Sequence, residues 1–315
     1  MLQAHPWPQR PRRIKSHFPE CKALRKSVSD IGGKPAGLDR AVRMMVWDGR
    51  ENRNGGISME KTRFPEFDLS GKVAIVTGAG RGLGYHTALA LANHGADLVI
   101  CSRTRSELEN LKGEVVKMGR RVLIQQMDIL KIPEIHEMVD ASVKEFGKID
   151  ILVNNAGINI PQWAVDVTEE AWDRVMDTNL KGLFFCAQAV GRIMIQQRKG
   201  KIINVSSQAG SVGLLLRSAY CSSKGAVNLL TKVLAIEWAE HNVLVNAIAP
   251  TFIETPFSKP MMEDEWFRKY VLSNIPLGHI GKPEDVTGAV IYLASDAANM
   301  VTGHVLHIDG GWTAH

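Results

Sequence analysis

From about residue 70 onward, short apolar runs alternate with longer amphipathic stretches. The runs are 73–77, 98–101, 122–126, 151–154, 201–205, 244–248 and 305–308. Short runs of this kind between long amphipathic stretches predict strands buried on both faces. The stretches between them include 84–93, 105–117, 135–146, 171–197, 219–239 and 283–294, whose apolar residues recur at helical spacing. Strand and helix signals in alternation predict βαβ units and a parallel sheet covered on both sides. Seven strands predict one doubly wound α/β domain with helices on both faces, and no second domain is evident.

The first 58 residues break this pattern. They hold Pro6, Pro8, Pro11, Pro19 and Pro35, scattered arginines and no sustained periodicity, a composition that predicts disorder. An Arg-rich, acid-poor transit peptide fits it, as does a basic arm. A third reading is that Met59 is the true start. Gly55 and Gly56 lie just upstream of it, and glycine codons resemble the purine-rich site that precedes a bacterial start codon. On that reading 1–58 is upstream sequence and the catalytic domain is 59–315.

Charge sharpens the division. The net charge is +5, but residues 1–58 hold 12 basic and 5 acidic residues against 26 and 28 in the remainder. The folded part is nearly neutral and gives no footprint for nucleic acid. No run approaches the ~18 apolar residues that span a bilayer. Cys21, Cys101, Cys186 and Cys221 show no CxxC and no metal-ligand spacing. Cys101 and Cys186 lie in apolar runs and read as small core residues of a reduced, cytoplasmic protein, with no metal expected.

Candidate chemistry starts at "TGAGRGLG", 77–84, between the first strand and the first helix. Glycines there let the backbone turn sharply and approach a pyrophosphate at the helix N-terminus. In "SAYCSSKGA", 218–226, Tyr220 stands four residues ahead of Lys224, so both occupy one helix face. By itself that spacing means little. Further along lie "NNAG" at 154–157, Asn179 in "MDTNLKG", Ser207 in "NVSSQAG" and "VTGHVLHIDGGW" near the end. Six such motifs in this order resemble the short-chain dehydrogenase/reductase family through nearly all of 67–315. The wording is nearest the branch of gluconate 5-dehydrogenases and glucose dehydrogenase-like proteins, with 3-oxoacyl-acyl-carrier-protein reductases next.

The resemblance implies hydride transfer between a nicotinamide cofactor and a carbonyl or secondary alcohol, with Asn179, Ser207, Tyr220 and Lys224 as catalytic residues. A free phenol has a pKa near ~10. A neighbouring Lys224 ammonium and an oxidised nicotinamide are expected to draw it down, making Tyr220 the general acid and base. Lys224 would also hold the nicotinamide ribose. Ser207 would hydrogen-bond the substrate oxygen. Asn179 would hold a water relay to Lys224, or serve as an ordinary helix amide.

The cofactor is expected against Gly78, Arg81, Gly82, Leu83 and Gly84, then Ser102 and Arg103, Asp128 and Ile129, and Asn155, Ala156 and Gly157. Tyr220 and Lys224 join them, followed by Pro250, Ile253 and Thr255. Asp128 reads either as an adenine contact or as a helix N-cap. In "APTFIET" the family's usual Pro-Gly is replaced by Pro250-Thr251, which leaves the geometry of that loop open. Dinucleotide folds that bind NAD carry an acid about 20 positions after the glycines. Here Ser102 and Arg103 stand there instead. A guanidinium can grip a 2′-phosphate, with Arg81 approaching from the other side, so NADP(H) is expected over NAD(H). Solvated loop arginines are the alternative.

The substrate is expected among 159–163, 208–216 and 252–275. The last segment, with Met261, Met262, Trp266, Phe267 and Tyr270, reads as a substrate wall or as a lid's own core. No basic residue follows "AGIN", so a substrate carboxylate would need Arg217, the nearest candidate. The other readings are a 3-oxoacyl-thioester reductase and a nucleotide-sensing protein without chemistry. The family implies a homotetramer built on the helices at 171–197 and 219–239.

Overall fold

The computed structural model describes residues 66–314; the expectations for 1–58 and for the Met59 start lie outside them. Seven parallel strands form one sheet: β1 (Val73–Thr77), β2 (Asp97–Ser102), β3 (Val122–Gln126), β4 (Ile151–Asn154), β5 (Gly200–Val205), β6 (Val243–Pro250) and β7 (Val305–Ile308). Their spatial order is β3-β2-β1-β4-β5-β6-β7. β1, β4 and β5 are wholly buried, whereas the edge strands β3 and β7 are only half-buried. Burial on both faces is why the inner strands are dominated by apolar residues.

Period-2 alternation divides each strand between two cores. Ala74 and Val76 of β1 face one core; Val73 and Ile75 face the other. The first is closed by α1 (Gly82–Asn93), α2 (Arg105–Lys117) and α9 (Pro283–Ala294) through Leu91, Leu108 and Ile291. The second is closed by α3 (Ile132–Phe146), α5 (Leu183–Gln197) and α6 (Ser218–Trp238) through Met138, Val190 and Leu234. Cys101 and Cys186 are buried in this second core, and burial pushes the Cys186 thiol up to about 12.

The single helix expected over 171–197 is interrupted. α4 (Glu169–Met176) runs into one wide π-helical turn, Asp177–Gly182, before α5 begins. The turn carries Asn179, whose amide bonds two neighbouring segments; π-turns inside helices commonly serve such side chains. Apolar spacing continues through the turn, so periodicity does not reveal it.

Beyond β6, α7 (Lys259–Met262) and α8 (Glu265–Ser273) form a small layer. Phe267, Val271, Ile275 and Trp312 make a third cluster there, joined by Phe252 and Tyr270. The aromatic segment is thus chiefly its own core, with Phe252 and Met261 also reaching the main cavity. Strand order reverses between β1 and β4. In open α/β sheets the ligand crevice opens at such a point, beyond the strands' carboxyl ends.

Candidate active site

The glycine loop joins β1 to α1 at that crevice. Gly78 and Gly82 have φ of 65° and 58°, left-handed backbone open chiefly to glycine. A Cβ on Gly84 would collide with the Gly78 carbonyl and with the Asn155 amide nitrogen. Asn155 braces the loop: its Nδ2 donates to the carbonyls of Thr77 at 2.9 Å and Gly78 at 3.1 Å. Thr77 Oγ1 in turn accepts from the N–H groups of Asn155 at 3.0 Å and Ala156 at 3.1 Å. Thr77 is a supporting residue that the sequence reading left unassigned; its signal was its place at the head of "TGAGRGLG". α1 has no acid in its first turn, and Arg81 provides no side-chain cap. Its first N–H groups therefore lack intrahelical partners, and such a terminus fits a pyrophosphate.

One cavity of about 1150 Å³ runs from this loop across the sheet's carboxyl edge. It is lined by every residue assigned above to the cofactor: Gly78, Arg81, Gly82, Leu83, Gly84, Ser102, Arg103, Asp128, Ile129, Asn155, Ala156, Gly157, Tyr220, Lys224, Pro250, Ile253 and Thr255. Ser207 lines it as well. Asp128 does not cap α3, whose N-cap is Lys131; its Oδ1 accepts from the Leu130 N–H at 3.1 Å. At the Ser102 end stands an acid that was not anticipated. The Glu107 carboxylate, from the first turn of α2, lies where a Cβ on Gly80 would strike it, beside Ser102 Oγ. A scan for an acid at the strand's end misses Glu107, because it arrives from one helical turn farther along.

α6 brings Tyr220 and Lys224 to the middle of the cavity. The Lys224 Nζ donates to the Val205 carbonyl at 2.7 Å and lies 5.7 Å from the centre of the Tyr220 ring. Burial lowers the Lys224 pKa to about 8. Lys224 was expected to draw the phenol down, but the protein's own groups act the other way. Loss of solvation raises the Tyr220 pKa, and it outweighs the opposing pull of the Ser207 hydroxyl and the weaker one of Arg217. The phenol is thus held in its proton-bearing form at neutral pH. The physical reason is that phenol and ammonium are desolvated together, while the ammonium is committed to a carbonyl.

Ser207 follows β5, with its Oγ 2.7 Å from Gln208 Oε1. Asn179 does not line the cavity; it stands behind the wall, fully buried. Its Oδ1 accepts from the Ile158 N–H at 2.8 Å, and its Nδ2 donates to the Ile158 carbonyl at 2.9 Å and to Ser223 Oγ at 3.1 Å. Ser223 Oγ donates onward to the Tyr220 carbonyl at 2.7 Å. The π-turn therefore ties the segment after β4 to the helix that carries Tyr220. Residues 78–313 match the family model described as enoyl-(acyl carrier protein) reductase.

The chain belongs to the short-chain dehydrogenase/reductase family.

Among its relatives in that family, it is 41% identical over 249 residues to a 2-dehydro-3-deoxy-D-gluconate 5-dehydrogenase of Dickeya dadantii, covering 79% of this chain and 98% of that one. It is 42% identical over 243 residues to a 3-oxoacyl-acyl-carrier-protein reductase of Thermotoga maritima, covering 77% and 98%. A gluconate 5-dehydrogenase of Burkholderia cenocepacia, solved in complex with NADP and tartrate, superposes with a TM-score of 0.76 at 34% identity, covering 79% and 98%. As a family member the chain is an oxidoreductase acting on CH–OH groups, transferring a hydride between a nicotinamide cofactor and a carbonyl or secondary alcohol. That sets aside the reading of a nucleotide sensor without chemistry. Among the described residues, no helix is long and apolar enough to cross a membrane, and no His/Cys/Asp/Glu group could hold a metal ion.

Proposed function

We propose that the enzyme interconverts a keto-sugar acid and its hydroxy acid with NADP(H), Tyr220 moving the proton. The observation that carries this is the meeting of Ser207, Tyr220 and Lys224 in the cavity that begins at the glycine loop. The chemistry that a bound nicotinamide supplies is hydride transfer to or from the substrate carbon. In reduction, the Tyr220 phenol gives its proton to the carbonyl oxygen as the C–H bond forms, and in oxidation it receives that proton back. Ser207 Oγ donates a hydrogen bond to the same oxygen while charge develops on it. Lys224 supplies positive charge beside the phenol. Asn179 is a positioning residue that fixes α6 through Ser223.

NADP(H) is favoured because Arg81 and Arg103 both line the cavity and no acid follows β2 directly; Glu107 opposes them. The sugar-acid reading is supported by the gluconate-type names of several relatives, and makes 5-keto-D-gluconate the first compound to try. A 3-oxoacyl thioester is the second reading, favoured by the 42% identical reductase. The long helices would pack across subunits in a cytoplasmic homotetramer. Residues 1–58 would be dispensable, so that a protein beginning at Met59 keeps full activity.

The deciding experiment is Tyr220→Phe. NADPH oxidation in the presence of substrate should fall by at least about a hundredfold, the scale of general acid catalysis, while NADPH still binds with unchanged fluorescence enhancement. Turnover within a few-fold of wild type would remove Tyr220 from its role.

A further inference from the structure

Arg217 is a buried guanidinium on the cavity wall, one helical turn before Tyr220, at the N-cap of α6. It is 5% exposed, and among the described residues no Asp or Glu pairs with it. A guanidinium carries five N–H donors. Here Nη1 reaches the Leu216 carbonyl at 3.4 Å and Nη2 reaches the Met261 thioether sulfur at 3.1 Å, a long bond and a weak acceptor. The Phe267 ring lies 5.5 Å away, and Tyr220 and Cys221 are near enough to act on its charge. Burying a charge with so few partners is unfavourable unless a counter-charge arrives.

The backbone around it is built to hold this position. Leu216 has φ of 63°, a left-handed conformation that a bulky residue rarely takes and that clusters at functional sites. The Leu216 carbonyl also accepts from the Gln162 N–H at 3.1 Å, and the Arg217 carbonyl accepts from the Cys221 N–H at 2.7 Å. Two further residues of the cavity wall carry side-chain oxygens with no partner, Asn159 Oδ1 and Thr251 Oγ1.

We infer that Arg217 anchors the carboxylate of a sugar-acid substrate. The guanidinium fork matches a carboxylate in a bidentate pair, and the anchor at one end sets which carbonyl of the chain comes to Tyr220. This deepens the proposed function and rests on it. It also selects the sugar acid over the thioester, whose reacting end has no carboxylate.

The test compares 5-keto-D-gluconate with L-sorbose, the same keto chain with a primary alcohol in place of the carboxylate. Wild type with NADPH should reduce the acid with kcat/KM about a hundredfold or more above the ketose, the scale of a buried charge pair. Arg217→Met should lose that advantage, mostly through KM, so that acid and ketose are reduced with similar kcat/KM. Arg217→Lys should recover part of it. Calorimetry on the NADPH-loaded protein, whose reduced cofactor cannot accept a hydride from an alcohol, gives a readout without turnover: D-gluconate should bind wild type and not Arg217→Met, and D-glucitol should bind both alike. Equal handling of acid and ketose by wild type, no binding of D-gluconate, or an equal loss on both substrates in Arg217→Met would each overturn the inference. The last result would mean that Arg217 braces α8 through Phe267. Tyr220→Phe separates the two claims, because it should abolish turnover of acid and ketose together while D-gluconate still binds.

Discussion

Lys224 is an ammonium with a single carbonyl acceptor, inside a wall that admits little solvent. Burial holds its pKa at about 8 instead of 10.5. A lysine lowered in this way is charged below about 8, and the cost of keeping it charged is then fully present in the folded state. As pH rises from about 8 to 10.5 the folded protein sheds the proton before the unfolded chain does, so this cost fades. Lys224→Met should therefore abolish turnover yet stabilise the fold at pH 7 by up to about 3 kcal/mol, with the gain shrinking at pH 10. Urea denaturation at the two pH values measures it, and an equal gain at both would refute the desolvation account. By the same titration, carbonyl reduction by wild type should decline as pH rises through about 8. The cofactor corner offers a second residue-scale prediction. Arg103→Asp should turn an NADP(H) preference toward NAD(H) by about tenfold or more in kcat/KM, the size of a lost charge-assisted bond. Glu107→Gln should strengthen the NADP(H) preference by removing a carboxylate near the same end. A wild type that favours NAD(H) would deprive Arg103 of its role.

At the level of elements, the parts most legible in the sequence are those with one local cause. All seven strands fall within two residues of the apolar runs, because a sheet covered on both faces demands such runs. The glycine loop is legible because only glycine accepts its φ angles and its close approach. What the sequence leaves hidden depends on contacts from far along the chain. The π-turn at Asn179 exists to reach Ile158 and Ser223, and nothing in helical spacing marks it. The burial of Arg217 without an acid, the arrival of Glu107, and the upward shift of Tyr220 likewise follow from packing. The glycine loop gives this scale its test. Gly84→Ala places a methyl against the Gly78 carbonyl and the Asn155 amide, and backbone cannot yield as a flexible side chain can. NADPH affinity, read by fluorescence titration, should fall by about tenfold or more for the 1–3 kcal/mol of such overpacking, with little change in helix content. Unchanged affinity would mean that the loop relaxes freely and is no rigid cradle.

At the scale of the whole molecule, one apolar stripe stands exposed among the described residues. Leu229, Val233 and Ile236 stand on one face of α6 and are 65%, 42% and 79% exposed. Their spacing of four and three residues makes a continuous stripe. α4, which packs against α6, exposes Trp172. A soluble chain rarely leaves such a stripe to water unless another surface covers it. The second sheet face is closed by α3, α5 and α6, so α6 is already committed inward through Val227, Leu234 and Ala235, and its outer face is free to meet a second copy. Closed symmetry lets this face pair with itself. The stripe therefore supports the proposed assembly, and a charged pair of substitutions tests it. Val233→Asp with Ile236→Glu alters no residue of the cavity and none of the internal core. Light scattering should show the wild type as a tetramer and the double variant as a smaller species. Its melting temperature should fall, because assembly stabilises the folded subunit by mass action. Because α6 also carries Tyr220 and Lys224, the smaller species should lose part of its kcat as that helix loosens, with D-gluconate binding reduced in step. A double variant that still elutes as a tetramer would show that α6 is not the assembling face.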